Sequence, residues 1–173
     1  MTSTSDLLID AYGRIAEVAR GAVGNLSQEQ LAIRLDDDAN SIAWLVWHLA
    51  RVQDDHISGV SGDAQVWLTG DWQERFGLDF EPEVIGYGQS SAEVAAVVGI
   101  PGDLLMAYLD AVTNQSLAYL ATLTDADLDR VVDTDWTPEV TLTVRLVSVI
   151  GDDLEHAGQA AFIAGIVRRR AAR

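Results

Sequence analysis

The feature that most constrains the fold is a set of four long stretches in which apolar residues recur every three or four positions. That spacing places the apolar side chains on one face of an α-helix, which has to be buried against other helices. The stretches begin near residue 5, with Ser5 or Asp6 as the helix cap, and continue at about 41–58, 101–122 and 141–169. The pattern predicts an all-α protein built as a four-helix bundle.

The segments between these helices complete the predicted architecture. The segments 131–135 and 140–144 contain β-branched residues, but each is short and flanked by helical patterns, so we do not expect strands there. The segment 59–88 contains several glycines and is too long for a tight turn, which predicts a long crossover between helices 2 and 3. A short helix at 91–98 should follow. No repeat or linker marks a boundary, so we expect residues 1–173 to form a single domain.

The residue types that are missing exclude several classes of enzyme. The 173 residues include no cysteine, which excludes disulfides, zinc fingers and a protein thiolate as nucleophile. All eleven basic residues are arginines, so a lysine Schiff base and a P-loop lysine are excluded as well. A domain of this size can bury a substantial core unaided, so a bound metal would serve function rather than folding.

Charge and hydropathy narrow the range of partners. The formal net charge of −16 repels a nucleic-acid backbone, so we expect no DNA or RNA partner. No segment has the about 18 uninterrupted apolar residues of a membrane span, and the amino terminus lacks the charged and apolar regions of a signal peptide. We therefore expect a cytoplasmic protein that contacts no membrane and acts on a small-molecule substrate.

Two histidines and an aspartate carry the strongest signal for chemistry. Asp152 and His156 are four residues apart, so both project from one face of the fourth helix, about one turn apart. His48 lies in an apolar run of the second helix and would supply a third ligand from a facing helix. Two imidazoles and one carboxylate, with positions left open to water, are typical of catalytic rather than structural metal sites.

These residues have competing interpretations. Asp153 is the rival carboxylate, although the i,i+4 spacing of Asp152 to His156 favours Asp152. His48 alone would be read as a core histidine bonded to a backbone carbonyl, and Asp152 and the histidines could merely be bonded to one another. His56, eight residues after His48, is expected to lie at the surface or at the helix end, although it could line the mouth of the site.

Three further residues are candidates for the surroundings of the site. Asp55, seven residues after His48, falls nearly on the same helix face. It could orient an imidazole or a water molecule, or it could be a solvated acid at the end of the helix. Gln159 lies one turn beyond His156 and could reach the site. Trp44 is a candidate wall of a substrate pocket, against the alternative that it only fills the core.

Three further stretches of sequence are distinctive: 41–52 (SIAWLVWHLARV), 67–77 (WLTGDWQERFG) and 145–161 (RLVSVIGDDLEHAGQAA). They resemble the DinB-like superfamily of metal-binding four-helix bundles, in particular its DUF664-type branch near the mycothiol-dependent maleylpyruvate isomerases. The resemblance covers nearly the whole chain. Many members use one histidine from the second helix and a His-x-x-x-His pair from the fourth. Asp152 stands at the first position of that pair, where the isomerases also have an acidic residue. The resemblance therefore implies His48, Asp152 and His156 as metal ligands.

The resemblance also implies a divalent metal ion and the activity of a thiol S-transferase. Zinc suits the ligands best, and nickel, manganese or iron would also fit. Characterised members use mycothiol or bacillithiol, so we expect a low-molecular-weight thiol as cosubstrate, activated by the metal to attack a small electrophile. The isomerases carry a further C-terminal domain, so isomerase activity is not expected here.

Two other functions remain open at this point. The same metal site could activate water in a metal-dependent hydrolase, or the chain could be a noncatalytic ligand-binding or dimerising bundle with a vestigial site. Members of the family often form homodimers, so a homodimer is compatible with the resemblance. Catalytic residues other than the metal ligands remain unassigned.

Overall fold

The computed structural model describes residues 2–172, and its helices form the all-α fold that the sequence predicts. In chain order they are α1 (Thr4–Val23), α2 (Gln28–Leu31), α3 (Ile42–Ser61), α4 (Val66–Thr69), α5 (Trp72–Phe76), α6 (Ser91–Ala95), α7 (Gly102–Leu120) and α8 (Leu142–Ala171). The four long helices α1, α3, α7 and α8 make the predicted four-helix bundle, with α8 packed against α1 and α3. Within residues 2–172, none of the helices combines the length and the apolar character that crossing a bilayer requires.

Serine caps set where two of the long helices begin. Ser3, rather than the predicted Ser5 or Asp6, caps α1: its hydroxyl accepts a hydrogen bond from the backbone N–H of Asp6 at 3.1 Å, and the Asp6 carboxylate accepts one from the Ser3 N–H. Ser41 caps α3, since its hydroxyl accepts a hydrogen bond from the backbone N–H of Trp44 at 3.1 Å.

A small two-stranded sheet lies where we expected no strands. β1 (Val131–Asp133) pairs antiparallel with β2 (Val140–Thr141), directly before α8. An ion pair of 2.7 Å between Arg145 of α8 and Asp133 ties this hairpin to the bundle. The expectation was wrong because contacts with the start of α8 stabilise a pair of strands too short to leave an alternating pattern in the sequence.

The predicted crossover between the second and third long helices packs over the bundle through aromatic residues. The rings of Trp67 in α4 and Phe76 in α5 lie 5.1 and 5.8 Å from the ring of Tyr108 in α7, measured between centroids. All three side chains are buried. The aromatic contacts therefore extend the core of the bundle into the first half of the crossover.

A buried arginine fastens the second half of the crossover to α3. Arg51 is fully buried and donates hydrogen bonds to the carbonyl oxygens of Pro82 at 3.1 Å and Val84 at 3.2 Å. Its charge is partnered by Asp54, one turn along the same helix, at 3.5 Å. A buried guanidinium is tolerated only when its donors are satisfied, so Arg51 holds residues 82–84 in place close to His48.

Candidate metal centre

The structure brings together the three residues that the sequence singles out as metal ligands. His48 lies on α3, whereas Asp152 and His156 lie one turn apart on α8, which packs directly against α3. One ligand atom from each residue lies within 4.8 Å of the other two, and His156 Nε2 is 3.7 Å from Asp152 Oδ1. Two imidazole nitrogens and one carboxylate oxygen therefore converge on a space the size of a coordinated ion.

Hydrogen bonds orient both imidazole rings. The Nδ1–H of His48 donates to the carbonyl oxygen of Ile85 at 2.5 Å. The Nδ1 of His156 lies 3.0 Å from Oε1 of Gln159, so the candidate Gln159 does reach the site. With Nδ1 engaged, the lone pair of each ring is on Nε2, which is the arrangement that metal-binding histidines use.

Burial keeps His48 in its neutral form. The loss of solvent lowers the pKa of His48 below its usual value, the proximity of His156 adds to this effect, and the Ile85 carbonyl and the Asp152 charge oppose it. A neutral imidazole is the form that binds a metal, so at neutral pH no proton has to be displaced from His48.

Asp152 supplies the observation that a cation best explains. Its Oδ2 atom is buried, and it has no hydrogen-bond partner among residues 2–172. The Asp152 side chain as a whole is 40% exposed, and a bound cation would supply the partner that its Oδ2 atom lacks. The residues present therefore fit a divalent ion held by His48, Asp152 and His156.

Trp44 contacts both imidazoles. Its ring stacks on the ring of His48 at 4.5 Å with an interplanar angle of 20°, and it meets the ring of His156 edge-on at 6.2 Å. The indole Nε1–H donates to the side chain of Gln89 at 2.7 Å, which fixes the orientation of the indole. Trp44 therefore packs against both candidate histidines as well as filling the core.

The crossover closes over His48 at a point that requires glycine. Gly86 has a φ of +98°, and a Cβ atom there would lie 2.6 Å from His48 Nδ1. This close approach places the carbonyl of Ile85 on His48. Sequence reasoning missed Ile85 and Gly86, although the glycines at 86 and 88 on either side of Tyr87 were a usable signal of an unusual backbone.

The rival carboxylate Asp153 lies apart from the cluster. It is fully buried near Tyr12 of α1, whose pKa is raised first by burial and second by the Asp153 charge. Neither carboxylate oxygen of Asp153 has a hydrogen-bond partner among residues 2–172. Burial first, and the neighbouring Asp152 charge second, raise the pKa of Asp153 well above its usual value. The structure therefore places Asp152, rather than Asp153, with the two histidines.

Asp55 and His56 form a pair at the edge of the site. The Asp55 carboxylate lies 3.3 Å from His56 Nδ1 and accepts a hydrogen bond from Gln65 at 2.8 Å. The hydrogen bond with His56 is the main reason that the pKa of Asp55 is lowered. Asp55 thus orients His56 rather than a ring of the His48/His156 pair.

A cavity of about 180 Å³ opens beside the three candidate ligands. It is lined by His48, Val52 and His56 from α3, by Ser148, Val149 and Asp152 from α8, and by Ile85 and Tyr87 from the crossover. Tyr87 is 91% exposed and stands at the rim. His56, which we expected at the surface or the mouth, therefore faces the same space as the ligands.

Comparison with known proteins agrees with the fold. None of the curated proteins matches the chain. A crystal structure described as the conserved protein of a locus from Enterococcus faecalis is 31% identical, with a TM-score of 0.89 over 96% of this chain and 98% of that one. The model of the DinB superfamily matches residues 11–160, which include all three candidate ligands. On this match and on its bundle architecture, the chain belongs to the DinB superfamily.

Proposed function

We propose that the protein is a metal-dependent enzyme that transfers a low-molecular-weight thiol to a small electrophile. His48, Asp152 and His156 would hold one divalent ion, and nitrogen and oxygen ligands favour zinc. The observation that carries the proposal is the convergence of three ligand atoms within 4.8 Å beside an open cavity. Three protein ligands leave a position for an exogenous ligand, as catalytic sites require.

A divalent ion bound there would lower the pKa of a thiol and stabilise the thiolate. The chain has no cysteine, so the thiol has to come from a cosubstrate. Val52 and Val149 give the cavity apolar walls, which favour a desolvated sulfur atom. The sulfur forms a bond to the electrophilic carbon while the leaving group departs with its electron pair.

His56 is suited to accept the proton of the thiol. It lines the cavity, and Asp55 engages its Nδ1 atom at 3.3 Å, which leaves Nε2 as the proton acceptor. A histidine oriented by a carboxylate is a common general base. His56 would take the thiol proton at Nε2 and release it to solvent at the exposed rim.

The size and charge of the site limit the reactants. A cavity of about 180 Å³ is smaller than the about 300 Å³ or more that encloses a whole drug-sized ligand. Only the reacting end of each molecule would therefore be enclosed, with the remainder lying over Tyr87. The net charge of −16 disfavours polyanions, so uncharged or cationic reactants are favoured.

The test has two stages, metal binding and turnover. Zinc is titrated calorimetrically into chelator-stripped protein, and the parent is compared with His48→Ala, Asp152→Ala and His156→Ala. Glu155→Ala, an exposed carboxylate on the same helix, is the matched control. We expect about one ion per chain in the parent and the control, and binding lost in the three ligand variants.

Turnover is then measured with a chlorodinitrobenzene electrophile and a panel of small thiols. Transfer that requires zinc, a thiol and all three ligands supports the proposal. Turnover that is indifferent to thiol would instead indicate a metal-dependent hydrolase. Failure of the parent to bind zinc, nickel, manganese or iron would overturn the proposal and leave a noncatalytic bundle.

A further inference from the structure

The cavity beside the candidate metal centre has a floor and a mouth, which differ in the exposure of their residues. His48, Val52 and Val149 are buried and form the floor. Tyr87, which is 91% exposed, and Ser148, which is exposed as well, form the mouth. A reactant that enters the cavity therefore passes Tyr87 and Ser148 before it reaches the candidate ligands.

Tyr87 gives the mouth an aromatic face that the core of the protein does not use. Because the residue is so exposed, its ring adds little to the buried apolar surface that stabilises the fold. Gly86 and Gly88, on either side, have φ angles of +98° and +72°, which residues with a side chain rarely adopt, and they shape the turn that presents the ring. A tyrosine ring offers a large flat surface and has few torsions to immobilise, so stacking on it costs little conformational entropy.

Ser148 gives the same mouth a free hydrogen-bonding group. The buried Ser116 hydroxyl of α7 donates to the carbonyl oxygen of Val112 four residues earlier, at 2.9 Å, whereas the Ser148 hydroxyl makes no hydrogen bond with any residue in 2–172. Ser148 lies one turn before Asp152 on α8, so both side chains project from the same face of the helix. The hydroxyl is therefore available to donate a hydrogen bond to an oxygen atom of a bound reactant.

The position of the sulfur determines which reactant contacts the mouth. In the proposed function the thiol sulfur is held at the metal, and the electrophilic carbon has to approach the sulfur to about 3–3.5 Å. A cavity of about 180 Å³ encloses little more than these reacting atoms, so the body of the electrophile extends to the mouth. Among residues 2–172, those that line the cavity include no arginine, and the chain has no lysine, so an anionic substituent finds no cationic side chain there.

We propose that Tyr87 and Ser148 select the electrophile, and that it is an uncharged aromatic compound with a carbonyl or nitro oxygen. Its ring stacks on the ring of Tyr87, and its oxygen accepts a hydrogen bond from the Ser148 hydroxyl. This inference rests on the proposed function, because it names the class of electrophile in that reaction. Both residues are positioning residues that do not touch the reacting atoms, so they act on KM for the electrophile rather than on kcat.

Binding of an unreactive analogue tests the inference separately from turnover. Dinitrobenzene, which has the ring and the oxygens but no leaving group, is measured by equilibrium dialysis against the zinc-supplemented protein. Tyr87→Ala should weaken its binding about tenfold, and Ser148→Ala about fivefold. Tyr87→Phe keeps the ring and should bind like the parent.

Trp136→Ala is the matched control, because Trp136 is an aromatic residue, 67% exposed, that does not line the cavity. It should bind dinitrobenzene like the parent. A parent that does not bind dinitrobenzene, or a Tyr87→Ala variant that binds it as tightly as the parent, would overturn the inference.

Turnover with two electrophiles shows whether Tyr87 acts on the aromatic ring. With chlorodinitrobenzene, Tyr87→Ala should raise KM about tenfold and change kcat less than about twofold. With iodoacetamide, which has no ring, the variant and the parent should have the same KM. Equal losses with both electrophiles would contradict the inference, since Tyr87 would then act on the thiol or the metal. No turnover by the parent, with binding of dinitrobenzene still dependent on Tyr87, would overturn the proposed function alone.

Discussion

The Nδ1 atom of His48 lies 2.5 Å from the carbonyl oxygen of Ile85, so a backbone group of the crossover determines which nitrogen of this histidine faces the bundle. Because Nδ1 donates the hydrogen bond, Nε2 is left with its lone pair directed toward Asp152 and His156. The crossover is thus part of the candidate metal centre, although it contributes no ligand atom to it.

Asp152→Asn should have opposite effects on the metal-free and the metal-loaded protein. Its Oδ2 atom is buried without a partner, so removal of the charge should leave the melting temperature of the stripped protein unchanged or raise it. The rise in melting temperature that zinc causes in the parent should disappear, because an amide is a poor ligand. Thermal denaturation with and without zinc measures both effects. A variant that zinc still stabilises would contradict the role of Asp152.

Gly86→Ala should destabilise the fold and weaken zinc binding together. The added Cβ would lie 2.6 Å from His48 Nδ1 at a φ of +98°, so the crossover has to move away from the ring. We expect a loss of about 1–3 kcal/mol in the free energy of unfolding. Urea denaturation and zinc titration provide the measurements.

Gly88→Ala is the control for that substitution. Gly88 also has a positive φ, of +72°, but a Cβ atom there meets nothing within 4 Å. It should therefore show only the backbone cost of about 1 kcal/mol and bind zinc like the parent. Equal zinc affinities in the two variants would argue that the close contact with His48 is irrelevant.

Asp153→Asn should change how stability depends on pH. The pKa of Asp153 is higher in the folded state than in the unfolded state. At pH values between these two pKa values, the folded state therefore binds more protons than the unfolded state. The contribution of Asp153 to the free energy of unfolding should therefore fall as the pH rises above about 4, and asparagine, which does not ionise, should remove this contribution. Urea titrations of the metal-free proteins at a series of pH values test this. Parallel curves for parent and variant would refute a raised pKa.

His56→Gln should slow thiol transfer without affecting metal binding. The side chain lines the cavity but is not among the three candidate ligands, so zinc affinity should equal that of the parent. Loss of a general base usually lowers the rate by about 10²–10⁴-fold. Asp55→Asn, which removes the orienting carboxylate, should cause a smaller loss. Full activity of His56→Gln would show that the thiol proton leaves by another route.

Local patterns in the sequence were sufficient to predict the bundle and to nominate the candidate metal ligands. The periodic apolar residues of the long helices, the Ser41 cap and the four-residue spacing of Asp152 and His156 are all properties of neighbouring residues. Helical geometry converts such spacing directly into a shared face. The family resemblance was needed only to favour His48, which lies on a distant helix, as the third ligand of the same site.

The tertiary structure decided what depends on residues far apart in the chain. Packing between two segments determines three features of the site and its surroundings. They are the contact of Ile85 with His48, the orientation of the Asp55 side chain toward His56 and the burial of Asp153 near α1. The β1/β2 hairpin is of the same kind, because its few residues are stabilised by α8 rather than by their own propensity. Periodicity determines which face of a helix is buried, whereas the partner of each side chain on that face is set by packing across the whole bundle.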